Sequence, residues 1–169
     1  MKYVKWIFVV LLISSLTSFV EKDKTTGGLN VGDVAPNFNF ALPATSHEPS
    51  EQSLSLIRGR YVLLSFWACY DAHSRVQNAE LNHALQQLTP QENIEMVSVA
   101  FDRYASVFEE TIRADRISAA ACFVDTRGND SGIYRKYRLS RGFTNYLLNG
   151  QGVIVAKDLS PADLDKYLN

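Results

Sequence analysis

The sequence predicts an α/β sandwich built on a mixed β-sheet. Three observations carry that expectation. Two nearly continuous apolar runs, Tyr61 to Trp67 and Ile94 to Phe101, have the length and the β-branched and aromatic content of strands buried on both faces. Each is followed at once by residues with the three- and four-residue apolar spacing of a helix. Near the end, Asn149-Gly150-Gln151-Gly152 separates two short apolar runs, the pattern of an antiparallel hairpin with positive φ in its turn.

The first residues read as a leader. Lys2 and Lys5 precede an apolar run from Trp6 to Ile13, which gives way to Ser14-Ser15-Leu16-Thr17-Ser18. That is the layout of a secretory signal peptide over residues 1–18, with cleavage expected near Thr17 or Ser18. Even extended to Val20, the run is shorter than the roughly 20 residues that span a bilayer. An uncleaved anchor is the alternative, and the one route by which a membrane is expected to be touched. Residues 19–28, charged and rich in Thr and Gly, read as a flexible linker, and the folded domain is expected over 29–169.

Within the domain, Val31 to Phe40 ends in alternating apolar and polar residues, a short strand after a turn shaped by Gly and Pro, and Pro43 to Ser53 reads as a polar loop. The helix after Trp67 is expected to turn Val76, Leu81, Ala84, Leu85 and Leu88 inward and Arg75, Gln77, Glu80 and Gln87 outward, with Pro90 helping to end it. Asp102 to Ile117 reads as a second helix with Phe108 and Ile112 on its inner face. Ala121 to Val124 is a short strand, Asp125 to Asn129 a turn, and Ile133 to Tyr137 a helix. Thr144 to Leu148 and Val153 to Leu159 form the hairpin. Ser160 as N-cap and Pro161 at the first helical position then open the last helix.

Composition narrows the function classes. The chain is 46% hydrophobic and 21% charged, which is ordinary for a globular protein and argues against disorder. Its 17 Lys and Arg residues nearly balance 18 Asp and Glu and form no long block, so nucleic acid is not an expected partner. The only cysteines are Cys69 and Cys122. In an oxidising compartment they either bridge, if the fold brings their Cα atoms within about 7 Å, or remain two half-buried thiols.

Three motifs carry a resemblance. Val31-Gly32-Asp33-Val34-Ala35-Pro36-Asn37-Phe38 resembles the GxxAPxF opening of exported thioredoxin-like proteins of the TlpA and AhpC/TSA type. Leu56 to Ala68 is similar to their L-x-x-x-G-K-x-V-L-L-x-F-W-A passage, and Asn149 to Ile154 to their D-x-x-G-x-I hairpin. The resemblance covers nearly all of the chain beyond the leader and implies a three-layer thioredoxin-like fold, a central mixed sheet flanked by helices. The family's chemistry lies in Trp-Cys-x-x-Cys-Arg, where a helix N-terminus lowers the pKa of a nucleophilic thiol. Anchored on Trp67, Ala68 and Arg75, the resemblance puts Asp71 at the first cysteine and Ser74 at the second. Neither can exchange disulfides. The family's cis-proline, in G-x-P-T-x-F, corresponds to Phe143 in Gly142-Phe143-Thr144-Asn145-Tyr146. A cis peptide before a non-proline costs about 2.5–4 kcal/mol, so a trans bond is expected there.

The candidate site residues follow. Asp71 is expected to cap the helix by accepting the Ser74 amide. The rival use of Asp71, His73 and Ser74 as a hydrolytic or metal-binding cluster is disfavoured because neighbours on one helical turn point in different directions. His83 lies ten positions beyond His73, off its face, and His47 lies in a loop. Trp67 and Tyr146 are expected in the core, whereas Tyr70, His73 and Phe143 are the candidate binding residues. These features point to a redox-inactive module in the periplasm or on the outer face of the cytoplasmic membrane, binding an envelope protein or peptide and needing no cofactor or metal. The alternative is a thiol-disulfide or peroxide-reducing enzyme that uses Cys69, with or without Cys122.

Overall fold

The computed structural model describes residues 27–41, 51–57, 59–87, 93–118 and 122–168. The expected leader, most of the linker, His47, Leu88 and Pro90 lie outside the described residues. Strands β1 (Asn39–Ala41) and β2 (Glu51–Ser53) pair with each other in antiparallel fashion. The main sheet holds β3 (Tyr61–Trp67), β4 (Ile94–Ala100), β5 (Cys122–Val124), β6 (Asn145–Leu148) and β7 (Ile154–Lys157), in the order β5-β4-β3-β6-β7. Helices α1 (Ala72–Gln86) and α2 (Ala105–Ala114) carry the chain between the parallel strands β3, β4 and β5, as parallel pairing requires a crossover. Strands β6 and β7 are antiparallel to their neighbours, with α3 (Gly132–Lys136) before them and α4 (Pro161–Leu168) after. This is the mixed sheet with flanking helices expected from the sequence.

Strand β3 organises the interior. Its alternate residues Val62, Leu64 and Phe66 enter an aromatic-rich core with Phe38, Tyr137 and Tyr146, whereas Leu63 packs with Leu81, Leu147 and Leu164 on the other face. Trp67 and Tyr146 are both buried, as expected.

Two local expectations are corrected. The segment read as a loop from Pro43 to Ser53 ends in β2, a polar strand without apolar alternation. Its position is held by Asn37, whose side-chain oxygen accepts from the Ser53 hydroxyl and the Ser55 amide, each at 2.9 Å. The buried stripe of α1 is Ser74, Asn78, Leu81 and Asn82, and Val76 is 55% exposed. The reason lies underneath the helix, where the Trp67 Nε1–H donates to Ser98 Oγ at 2.8 Å and that hydroxyl donates to Asn78 Oδ1 at 2.8 Å. Asn82 Oδ1 accepts the Ser118 amide from the loop before β5, so polar partners beneath the helix select polar residues on it. Ser160 stands directly before Pro161 at the start of α4, as expected, and its amide and hydroxyl donate to the Asp163 carboxylate at 3.1 and 2.7 Å. An acid three residues into the segment thus reaches back to the start of the helix.

The hairpin turn is tied by Asn149, whose side-chain oxygen accepts the Gln151 and Val153 amides, and Gly152 supplies the positive φ of 79°. Upstream, the arm from Gly27 to Ala35 lies along β7. The Gly32 amide donates to Ile154, the Ile154 amide to Asp33, and the Ala35 amide to Gly152. Gly27 and Gly28, assigned above to the linker, already pair with Val34.

Asn145 is the polar fastener of the C-terminal end. It is buried in β6, its Nδ2 donates to the Leu159 carbonyl at 3.0 Å, and its Oδ1 accepts the Leu159 amide at 2.8 Å. Replacing it by Ala leaves the buried Leu159 amide without its partner and the Leu159 carbonyl with only the longer bond from Gln77 Nε2, at 3.4 Å. Asn145→Ala is expected to lower stability by about 2–4 kcal/mol, read as a shift in urea midpoint at unchanged slope.

Candidate functional site

Strand β3 stops at Trp67, and only Ala68 to Asp71 separate it from α1. Asp71 has extended backbone angles and caps the helix, its Oδ1 accepting the Ser74 amide at 2.8 Å. The Ser74 side chain is buried. Its hydroxyl donates to the Asp71 carbonyl at 3.3 Å and accepts the Ala68 amide at 3.4 Å, which closes the turn. The Ser74 amide, helped by the hydroxyl, holds the Asp71 carboxyl below the usual carboxylate range against a small opposing effect of burial.

His73 is exposed on the same turn, whereas the Ser74 oxygen faces inward and is occupied by backbone groups. The three side chains are not brought together as a base and nucleophile. Among the described residues there is also no cluster of three His, Cys, Asp or Glu side chains placed to hold a metal ion. His83 points to the far end of α2, where its Nε2 lies 3.0 Å from the Asp115 carbonyl. Asp115 also receives Arg75 through two bonds of 2.6 and 2.8 Å, which pins α1 to the end of α2.

The two thiols stand apart. The Cys69 amide donates to both oxygens of Asp102, each at 3.0 Å, so Cys69 lies near the second residue past the end of β4. Cys122 pairs across the sheet with Ser98, four positions earlier along β4. That offset corresponds to about 13 Å along the strand, well beyond the separation a disulfide tolerates. Both cysteines are free, and the bridge considered from sequence is not formed. Burial pushes the Cys69 thiol up to about 11, with Asp102 adding to the rise and the Thr111 hydroxyl and Arg75 opposing it. Burial likewise pushes Cys122 up to about 11, against the Ser98 hydroxyl. Cys69 does border a surface cleft of about 500 Å³, together with Tyr70, Arg75, Val76 and Glu80.

On the other side of Asp71 the rings gather. Tyr70 is 69% exposed, and its ring lies 6.4 Å from that of Phe143. Phe143 stacks on Phe101 at 6.1 Å and meets the edge of Tyr134 at 6.2 Å, while Phe101 and Tyr134 are 5.5 Å apart. No cis peptide occurs among the described residues, so the bond before Phe143 is trans, as expected. Tyr70 and Phe143 are brought together as candidate binding residues, and His73 remains a separate exposed side chain. Tyr134, Phe101 and Asp102 were missed in the sequence. Asp102 could have been found as a carboxylate directly after a buried strand, but nothing in the five residues of α3 marks Tyr134 as facing Phe143.

The cap makes a measurable contribution. Asp71→Ala is expected to cost about 1 kcal/mol in chemical denaturation, and Asp71→Asn less, because Asn keeps the acceptor. The folded carboxyl titrates below its unfolded value, so the advantage of Asp over Asn is present above the unfolded pKa of about 3.9 and is lost as pH falls through the folded one. Stability curves of the two proteins are therefore expected to converge in acid.

No protein-family model matches the sequence, and no curated protein does either. Solved structures do. The chain is similar to a thioredoxin-like protein from Parabacteroides distasonis ATCC 8503, with 36% identity over 86% of this chain and 98% of that one and a TM-score of 0.70. It is similar to a thiol-disulfide oxidoreductase from Bacteroides fragilis NCTC 9343, with 28% identity over 77% and 97% of the two chains and a TM-score of 0.62. The thioredoxin domain of a thiol-disulfide oxidoreductase from Bacteroides vulgatus shares the fold at 21% identity, over 84% and 100%, with a TM-score of 0.70. With its mixed sheet, its helix set directly after β3, and 36% identity across nearly the whole of the Parabacteroides protein, the chain belongs to the thioredoxin-like family.

Proposed function

We propose that this protein is a binding module of the cell envelope that does not exchange disulfides. One observation carries the reading: a carboxylate, Asp71, occupies the helix N-terminus, and neither thiol does. A thiol attacks a disulfide as the thiolate, and a helix N-terminus favours that anion. Here the positive helix end is spent on Asp71, and both thiols are pushed up to about 11, so they stay protonated near neutral pH. The sequence has no Cys-x-x-Cys pair to resolve a mixed disulfide.

The binding surface is the aromatic patch of Tyr70, Tyr134 and Phe143 beside the capped helix. Tyr70 is exposed and Tyr134 and Phe143 are half-buried against the core, and aromatic side chains on such a support are the usual anchors of a protein or peptide partner. Export follows from the basic and apolar start of the chain and gives the periplasm, or the outer face of the cytoplasmic membrane, as the location.

A thiol-dependent reading has one observation in its favour, the contact of Cys69 with a surface cleft. Insulin reduction by the purified protein separates the two. No turnover is expected, and turnover that disappears in Cys69→Ser overturns the noncatalytic reading. Alkylation of Cys69 by iodoacetamide at neutral pH is expected to run on the order of a hundredfold slower than that of a free thiol of pKa about 8.5. In an envelope extract, Tyr70→Ala and Phe143→Ala are expected to lose a partner that the parent protein captures. Retention of every partner by both variants places the interface elsewhere.

A further inference from the structure

We propose that the stretch from Tyr134 to Phe143 receives an acidic peptide bearing an aromatic side chain, with Arg135, Arg138 and Arg141 taking its carboxylates and Tyr134, Phe143 and Tyr70 its ring. The inference rests on the binding reading above and names the chemistry of the partner.

The chain folds this stretch back on itself, because Tyr134 and Phe143, at its two ends, meet edge to face at 6.2 Å. Between them lie four basic residues and no acidic one, in a protein whose Lys and Arg residues number 17 against 18 Asp and Glu. Lys136 is occupied, since its Nζ donates to the Asn37 carbonyl at 2.6 Å. Arg135, Arg138 and Arg141 are exposed, and none forms an ion pair with a described residue. Arg75, Arg113 and Arg127, by contrast, each hold a carboxylate at 2.6–2.7 Å.

The three arginines recur once per turn. The Arg138 amide donates to the Arg135 carbonyl at 3.1 Å, and the Arg141 amide to the Arg138 carbonyl at 3.3 Å. Arg138 has φ of 54°, a conformation in which Gly or Asn is cheaper than Arg. Guanidinium groups in series suit carboxylates, which they bind in forked geometry. At the other end of the patch, the Asp71 carboxylate beside Tyr70 repels an acidic partner. Charge therefore orients the ligand, with its acids toward Arg135 to Arg141 and its ring toward Tyr70.

The test is fluorescence anisotropy with the labelled peptide Glu-Asp-Phe-Glu-Asp-Phe-Glu, its Gln/Asn counterpart and its Phe-to-Ala counterpart. The acidic aromatic peptide is expected to bind at least tenfold tighter than either control, a difference of 1.4 kcal/mol. Combined Arg135→Ala, Arg138→Ala and Arg141→Ala is expected to remove that tenfold preference. Should that variant fail to fold, the parent protein answers the same question, because its affinity for the acidic peptide is expected to fall steeply with added salt while that for the neutral control does not. Equal binding of acidic and neutral peptides, with loss in Phe143→Ala, overturns the charge assignment and leaves the aromatic patch as a binding site. Absence of peptide binding overturns the proposal, and if Tyr70→Ala and Phe143→Ala also retain every envelope partner, the binding reading fails with it. Arginine-dependent capture by phosphatidylglycerol vesicles without peptide binding overturns it in favour of an anionic lipid surface.

Discussion

The bond from Trp67 through Ser98 to Asn78 fixes the rest of this molecule. It joins the last residue of β3, the middle of β4 and the buried face of α1 in one chain of donors, all withdrawn from water. Apolar packing is non-directional, whereas a buried chain of hydrogen bonds such as Trp67–Ser98–Asn78 forms in one register. Once α1 is seated, its first turn falls where Asp71 can cap it and the short link back to Trp67 has no slack. Arg75 on Asp115 fastens the outer side of the same helix to α2. The helix N-terminus is thus rigidly presented.

What occupies that position decides the chemistry. A carboxylate and a thiolate both gain from the partial positive charge and the free amides of a helix start, but one is a stable anion and the other a nucleophile. With Asp71 there, the helix cap is a carboxylate that accepts the Ser74 amide. Cys69, two positions away, gains nothing from the helix. Its amide is held by Asp102, and the nearby carboxylate together with burial favours the neutral thiol. The same carboxylate that orders the loop adds to the effect of burial in raising the thiol's pKa.

The strands and their order were legible because the apolar runs are long and bounded by turn residues. Tyr61–Trp67 is read directly, and the Asn149 to Gly152 turn announces the hairpin. The cap at Asp71 was legible too, since a short acid before a helical pattern has one common use. The polar face of α1 was not. Apolar periodicity selects Val76, which is exposed, and passes over Asn78 and Asn82, because asparagine becomes an inward residue only when Ser98 and the Ser118 amide are waiting for it. Strand β2 was hidden for a similar reason, the hydroxyl of its last residue, Ser53, being held by Asn37. The three arginines escaped notice in a balanced composition because their grouping arises from spacing by turns, and Tyr134 because its contact with Phe143 is tertiary.

The arm from Gly27 to Ala35, laid against β7, has a further consequence. An open sheet ends in strands whose unpaired amides and carbonyls invite another chain to add itself. The arm bonds to Ile154 at the start of β7 and to the turn before it, and at the other margin β5 is three residues long. These short margins leave little ladder for a second chain to extend, which lowers the tendency of the main sheet to pair edge to edge.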